Sequence, residues 1–339
     1  MRGSVTVAEG SVEGVRAAFI EQFGPSSAIR YGELPAPVPG PTDVLVDVLA
    51  TTVNPVDTMI RSGAYHTEVS FPFVIGRDLV GRVATPNQGF ADGELVWCNS
   101  LGHAGRQGAA AEQAVVPADR LYRLPAGVDP IEAAAVLHPG ATAHLALYHA
   151  RLRAGETVVV VGGAGNVGSA LITCAVEAGA KVLTFAHLVD TDYCEELGAR
   201  NVFDRTDPTS RGMVARAFAD RVDVYVDTSG YNGMTFPIGL LAQRGRIVVF
   251  ADSRYEEEPT PLPVRDLYTK DGSIIGFVIS RATVAELADA ARTVNRLLAA
   301  GRLRAREVER LPLSAAAEVH EDMVDAERGR HGSRVVLVP

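Results

Sequence analysis

The chain has 339 residues, 47% hydrophobic and 22% charged, with 41 acidic against 32 basic side chains and a formal net charge of −9. That length exceeds the ~250–300 residues one hydrophobic core fills, so two domains are expected. The acidic balance argues against nucleic acid or an anionic membrane as the main partner, three scattered cysteines (Cys98, Cys174, Cys194) are too few for a disulfide framework, and no apolar run reaches the ~18–20 residues of a membrane span.

Residues 1–14, MRGSVTVAEGSVEG, read as a loose tail without the apolar stretch of a signal peptide, and the cytoplasm is the expected compartment. From Val15 to Pro130, apolar segments broken by Gly and Pro follow closely: AAFIEQFG, LPAPVPGPTDVLVDVLATTV, FPFVIGRDLVGRVATP, GELVWCNS and GAAAEQAVVPADRLYRLP. They predict a small β-rich barrel or sandwich. Within this stretch Asn54, Pro55 and Asp57 suit the N-cap, N1 and N3 positions of a short helix.

From Ile131 to Ser280 strands alternate with helices: VVVVGG, KVLTFA, NVFD, VDVYVDTSG, GRIVVFAD and SIIGFVIS, separated by Ala- and Leu-rich segments. The alternation predicts a parallel sheet covered on both faces by helices. Its first strand runs directly into Gly163-Ala164-Gly165-Asn166-Val167-Gly168 and then a small-residue helix, the context in which G-x-G-x-x-G spacing points to a dinucleotide. Gly163 is assigned the tight turn, Gly165 the close approach of a pyrophosphate to the helix N-terminus, and Gly168 the packing of helix on strand. A long helix follows, with Val284, Leu287, Ala291, Val294, Leu297 and Leu298 at helical spacing, and the chain ends in the strand SRVVLVP.

In this order, TTVNPVDTMIRSGAY, FPFVIGRDLVG, AAAEQAVVPADRLYRLP, the glycine turn, VDVYVDTSG, LLAQRGRIVVFAD and LLAAGRLRAREVERLPLSAAAEVHEDM with GSRVVLVP resemble the medium-chain dehydrogenase/reductase superfamily, and within it the zinc-free quinone oxidoreductase and enoyl reductase branch. The resemblance implies a GroES-like catalytic domain (15–130 and 283–339), a Rossmann domain (131–282), NADPH as hydride donor and a homodimer. Zinc-dependent members carry a catalytic Cys where this chain has Asn54 and a His where it has Arg77; an amide is a poor zinc donor and a guanidinium has no lone pair. The four-Cys structural zinc lobe is also missing, with only Cys98 in WCNSLGHAGRQG. The spacings of His138, His144 and His149 do not fit a helical zinc site, and no metal is expected.

By the same resemblance Asn54, Asp57 and Tyr65 are the catalytic candidates. Asn54 and Asp57 open a helix beside the nicotinamide and Tyr65 faces the substrate, while the purely structural reading of the first pair as a helix cap stays open. A phenol holds its proton at neutral pH and can give it to a stronger base, and the Asn54 amide or the Tyr65 hydroxyl would stabilise an enolate oxygen. Thr142 and the backbone around Phe250 and Val278 are the implied nicotinamide-side contacts. NAD-preferring relatives place a carboxylate where this chain has Ala186, so a 2′-phosphate meets no repulsion there and His187 or Arg205 can supply a donor. Quinone reductases often have Lys where this chain has Asp190 and Tyr where it has Arg205.

Ala110 and Gln113 stand where relatives often have aromatics, which predicts room for a bulky or polycyclic substrate. Three readings follow: an NADPH-dependent enoyl reductase of conjugated carbonyls, an NADPH:quinone oxidoreductase, and a non-catalytic nucleotide-binding protein of the same fold.

Overall fold

A computed structural model describes residues 14–230, 233–251, 261–324 and 333–339. The expected tail lies outside the described residues except for Gly14, which opens the first strand. In chain order the first elements are β1 (Gly14–Ile20), β2 (Arg30–Pro35), β3 (Asp43–Thr52), α1 (Pro55–Ser62), β4 (Phe73–Val74), β5 (Asp78–Val83), β6 (Leu95–Cys98), β7 (Gln113–Pro117) and β8 (Tyr122–Arg123). There follow α2 (Pro130–His149), β9 (Thr157–Val161), α3 (Asn166–Glu177), β10 (Lys181–Ala186), α4 (Thr191–Glu196), β11 (Asn201–Asp204), α5 (Ser210–Phe218), β12 (Val222–Asp227), α6 (Thr235–Leu240), β13 (Leu241–Val249), α7 (Val264–Tyr268), β14 (Ser273–Gly276) and α8 (Val284–Ala299). The chain closes with β15 (Glu307–Pro312), α9 (Ala316–Val324) and β16 (Ser333–Val338).

The chain divides into two units, the first comprising Met1–Leu124, Glu309–Arg330 and Val335–Pro339, the second Pro125–Val308 with His331–Arg334. In the first, β3 is the hub: its alternating apolar positions Val44, Val46 and Val48 are buried, and it pairs antiparallel with β5, β7 and β16. The seven-stranded sheet runs β15-β16-β3-β5-β6-β8 with β7 on β3, and a separate three-stranded sheet runs β2-β1-β4. Helix α9 closes the cluster of Ile20, Val53, Ile60 and Phe73 with Ala316 and Val319.

The second unit is a six-stranded, wholly parallel sheet in the order β11-β10-β9-β12-β13-β14. The order reverses between β9 and β12, and in open parallel sheets ligands bind beyond the carboxyl ends of the strands at that reversal. The expectation gave the helix beginning near residue 283 to the first domain, whereas α8 belongs to the second unit. The cause is Gly140 in α2, where a Cβ would stand 2.7 Å from Leu303 and 3.1 Å from Val294, so α2 approaches α8 and the turn after it closely. Arg296 of α8 and Arg302 after it both reach Glu177 of α3 at 2.9 Å.

Candidate active site and dinucleotide cradle

In the first unit, α1 begins with Asn54 in an extended conformation, Pro55 at N1 and Asp57 at N3. The Asp57 carboxylate accepts the Asn54 backbone N–H at 2.7 Å, which satisfies one orphan donor of the helix start. The Asn54 side-chain amide points at two carboxylates, Asp78 at 2.7 Å and Asp57 at 3.3 Å, and Thr52 donates its hydroxyl to the same Asp78 oxygen at 3.0 Å. Asn54, Asp57 and Asp78 are all buried. The Asn54 amide is thus engaged by the helix cap and by Asp78.

Tyr65 lies at the other end of α1, about 12 Å of helix away. Gly63 ends the helix in the left-handed region, and the Tyr65 N–H turns back to the Met59 carbonyl at 3.0 Å. The structure therefore joins Asn54 and Asp57 to Asp78 and sets Tyr65 apart. The neighbour of Tyr65 is His103, with ring centroids 5.9 Å apart. His103 sits on the loop between β6 and β7, a residue that sequence reasoning passed over.

The same loop reaches Arg77, whose backbone carbonyl accepts the Leu101 N–H at 3.1 Å. Arg77 is completely buried, and its Nε, Nη1 and Nη2 have no hydrogen-bond partner. Among the described residues no group of three or more His, Cys, Asp or Glu side chains converges as a metal ion would require. His144 instead meets Asp289 at 3.0 Å and His149 packs on Phe277 at 5.2 Å. Ala110 is buried in the core beside Gly76, and Gln113 donates to Asp47 at 2.8 Å. A cavity of about 410 Å³ does open in this unit, lined by Val15, Leu34, Val38, Gln107, Ala111 and Gln113 among others.

In the second unit the glycines divide their work differently from the expectation. The tight turn belongs to Gly162, whose φ is +83°, rather than to Gly163. Gly163 is required by packing, since a Cβ there would lie 2.0 Å from the Thr184 hydroxyl oxygen, and at Gly168 it would lie 2.0 Å from the Gly162 carbonyl oxygen. At Gly165 a Cβ would meet only that carbonyl oxygen, at 3.2 Å, so nothing else among the described residues fills the space. Gly165 is the N-cap of α3, has no side-chain cap, and is followed by Asn166 and Val167 in the first turn of a twelve-residue helix. Uncapped N–H groups and an open cradle fit a pyrophosphate.

Ala186 ends β10 opposite Asp204 of β11, and the Ala186 carbonyl accepts the Arg205 N–H at 2.8 Å, so exposed His187 and Arg205 leave the sheet side by side. Asp190 is engaged by Arg306, which also stacks over Tyr193 at 5.1 Å. Phe250 and Val278 follow the carboxyl ends of adjacent strands β13 and β14, with the Phe250 and Phe277 rings 5.3 Å apart. Two buried hydroxyls of this unit, Thr142 on α2 and Ser280 just beyond Val278, have no hydrogen-bond partner. Buried polar groups are rarely left so.

A family model described as alcohol dehydrogenase GroES-like domain matches residues 40–126, and one described as zinc-binding dehydrogenase matches residues 166–295. The quinone oxidoreductase of Mus musculus is 31% identical over 333 residues, covering 96% of this chain and 98% of its own length. Among solved structures, a mycobacterial protein complexed with NADPH aligns with a TM-score of 0.78 at 27% identity over 96% of this chain and 100% of its own. An NAD-dependent alcohol dehydrogenase aligns with a TM-score of 0.83 at 28% identity over 96% of this chain and 99% of its own. The chain is an oxidoreductase of the medium-chain dehydrogenase/reductase superfamily and belongs to its quinone oxidoreductase branch.

Proposed function

We propose that this protein is an NADPH-dependent reductase of conjugated carbonyls, adding hydride to the β-carbon of an enone. The observation that carries the reading is the open cradle at Gly165, which the described residues leave unfilled. When bound, the nicotinamide supplies the hydride; the chain's own residues orient, shield and protonate. Tyr65, beside His103, donates the proton or a hydrogen bond to the developing enolate. Asn54, Asp57 and Asp78 position the start of α1 through their shared hydrogen bonds. The unpaired Thr142 and Ser280 hydroxyls supply polar contacts to the nicotinamide end, with Phe250 and Val278 beside it.

Preference for NADPH over NADH rests on Ala186 in place of a carboxylate and on His187 and Arg205 at the same strand ends. Arg306 reaches that loop as well, through Asp190. The identity to the murine quinone oxidoreductase favours a second reading in which a quinone accepts the hydride. The working form is a homodimer joined through β14, an edge strand whose Ile274 is exposed, and three free, buried cysteines suit the reducing cytoplasm. The test is oxidation of NADPH and of NADH followed with a panel of enones and quinones. A saturated carbonyl product with NADPH supports the first reading, a hydroquinone the second, and cofactor binding without any turnover overturns both.

A further inference from the structure

A narrow cleft in the second unit opens on the residues either side of Gly165. Ala164 and Asn166 line it, together with Ser169 of α3, Tyr193 of α4, and Arg304 and Arg306 from the turn between α8 and β15. Both charged side chains of that lining are arginines, and among the described residues no carboxylate lines it. The glycine turn and two guanidinium groups therefore share one solvent-accessible opening.

The two arginines are held differently. Arg306 forms an ion pair with Asp190 and lies over the Tyr193 ring at 5.1 Å, which fixes its plane. Arg304 is exposed and makes no ion pair or hydrogen bond among the described residues. The charges of both act on the Tyr193 phenol, which burial pushes above its ordinary value and which hydrogen-bonds Ser169, so the floor of the cleft stays neutral. One carboxylate thus answers two guanidiniums. The donors at the strand ends are each already opposed, since His187 faces Asp204 and Arg205 faces Asp227.

We propose that Arg304 and Arg306 bind the 2′-phosphate of NADPH, so that cofactor choice is made by the turn after α8 more than by the ends of β10 and β11. The inference rests on the NADPH reading given above and names the side chains that carry it. A pyrophosphate at Gly165 leaves the adenosine ribose, with its 2′-substituent, beside the cleft that Ala164 and Asn166 open. A phosphomonoester carries a charge of about −1.5 to −2 near pH 7, more than the single charge of Asp190, and competes for Arg306. Guanidinium groups suit such oxygens because they donate in parallel pairs, and charge-assisted bonds are about twice as strong as neutral ones.

The experiment measures by calorimetry the dissociation constants of NADPH, NADH, 2′,5′-ADP and 5′-AMP for the wild type, Arg304→Gln, Arg306→Gln and Arg205→Gln. The wild type is expected to bind NADPH at least about tenfold more tightly than NADH, and 2′,5′-ADP more tightly than 5′-AMP by a similar factor. Each of Arg304→Gln and Arg306→Gln is expected to lose most of that preference while NADH and 5′-AMP bind within about twofold of the wild type. Arg205→Gln is expected to keep it. Arg304→Gln is expected to melt with the wild type, because the side chain it replaces is exposed and unbonded. If Arg306→Gln fails to fold without its Asp190 pair, Arg304→Gln decides the matter.

A wild-type preference that survives both substitutions, or that is lost in Arg205→Gln alone, would overturn the proposal and leave the NADPH reading standing. Equal binding of NADPH and NADH by the wild type would refute that reading and the proposal with it. Inorganic phosphate that raises the melting temperature of the wild type as much as 2′,5′-ADP at the same concentration would show a site for free phosphate instead, and would equally overturn it.

Discussion

The Asn54 side chain donates to the buried carboxylate of Asp78 at 2.7 Å, tying the first residue of the α1 cap to the strand that follows Arg77. Replacing Asn54 by Ala removes a donor from two buried carboxylates at once. The expected cost is about 1–3 kcal/mol of stability, read from chemical denaturation, and Asn54→Asp is expected to cost more because it adds a third carboxylate. Equal stability of Asn54→Ala and wild type would show that this network positions nothing.

Tyr65→Phe keeps the ring against His103 and deletes the hydroxyl. Turnover is expected to fall about a hundredfold while the NADPH dissociation constant, measured by nucleotide fluorescence, stays unchanged. An unchanged turnover number would remove Tyr65 from the mechanism.

The glycine turn separates folding from binding. Gly168→Ala places a Cβ 2.0 Å from the Gly162 carbonyl oxygen and is expected to lower stability by about 1–3 kcal/mol or more. Gly165→Ala meets one atom at 3.2 Å, so it is expected to melt near the wild type and yet bind NADPH at least tenfold more weakly. Loss of stability without loss of affinity in Gly165→Ala would contradict the cradle.

Strands such as TVVVV and KVLTFA were legible because a parallel strand buried on both faces is apolar throughout, and the order of motifs located the glycine turn. RYGELP was not read as a strand: β2 is an edge with most of its side chains toward solvent, and no alternation marks it. Nor could spacing show that Gly162 rather than Gly163 carries the positive φ, since two adjacent glycines are equivalent until Thr184 packs against one of them. The Asn54, Asp57 and Tyr65 segment was found by its motif. His103 meets Tyr65 across 38 positions of sequence and Arg306 meets Asp190 across 116, while Arg77 stands out through missing partners, and neither leaves a local pattern.

His320 on α9 is fully buried with both ring nitrogens unpartnered, and burial, aided by the Arg61 charge, pushes its pKa down to about 3. The unfolded chain, with an ordinary histidine near 6.5, takes up a proton that the folded chain refuses. Stability contributed by this residue is therefore complete above about pH 6.5 and is lost as the pH falls toward 3, by about 1.4 kcal/mol for each pKa unit. His320→Leu is expected to flatten the melting temperature between pH 6.5 and 4 relative to the wild type. Parallel profiles for the two proteins would refute the assignment.

Ile274 is exposed on β14, which pairs only with β13 among the described strands. Ile274→Lys is expected to convert a dimer to a monomer in sedimentation velocity without lowering the melting temperature of the monomer. A wild type that sediments as a monomer would contradict the edge-to-edge assembly.

The most direct measurement of the central claim follows the hydride itself. The enzyme is given an enone and NADPH deuterated at the transferred position, and the product is read by mass spectrometry and proton resonance. One deuterium on the β-carbon of a saturated carbonyl is the expected result. A product without deuterium, or unchanged enone beside saturated cofactor binding, would contradict it.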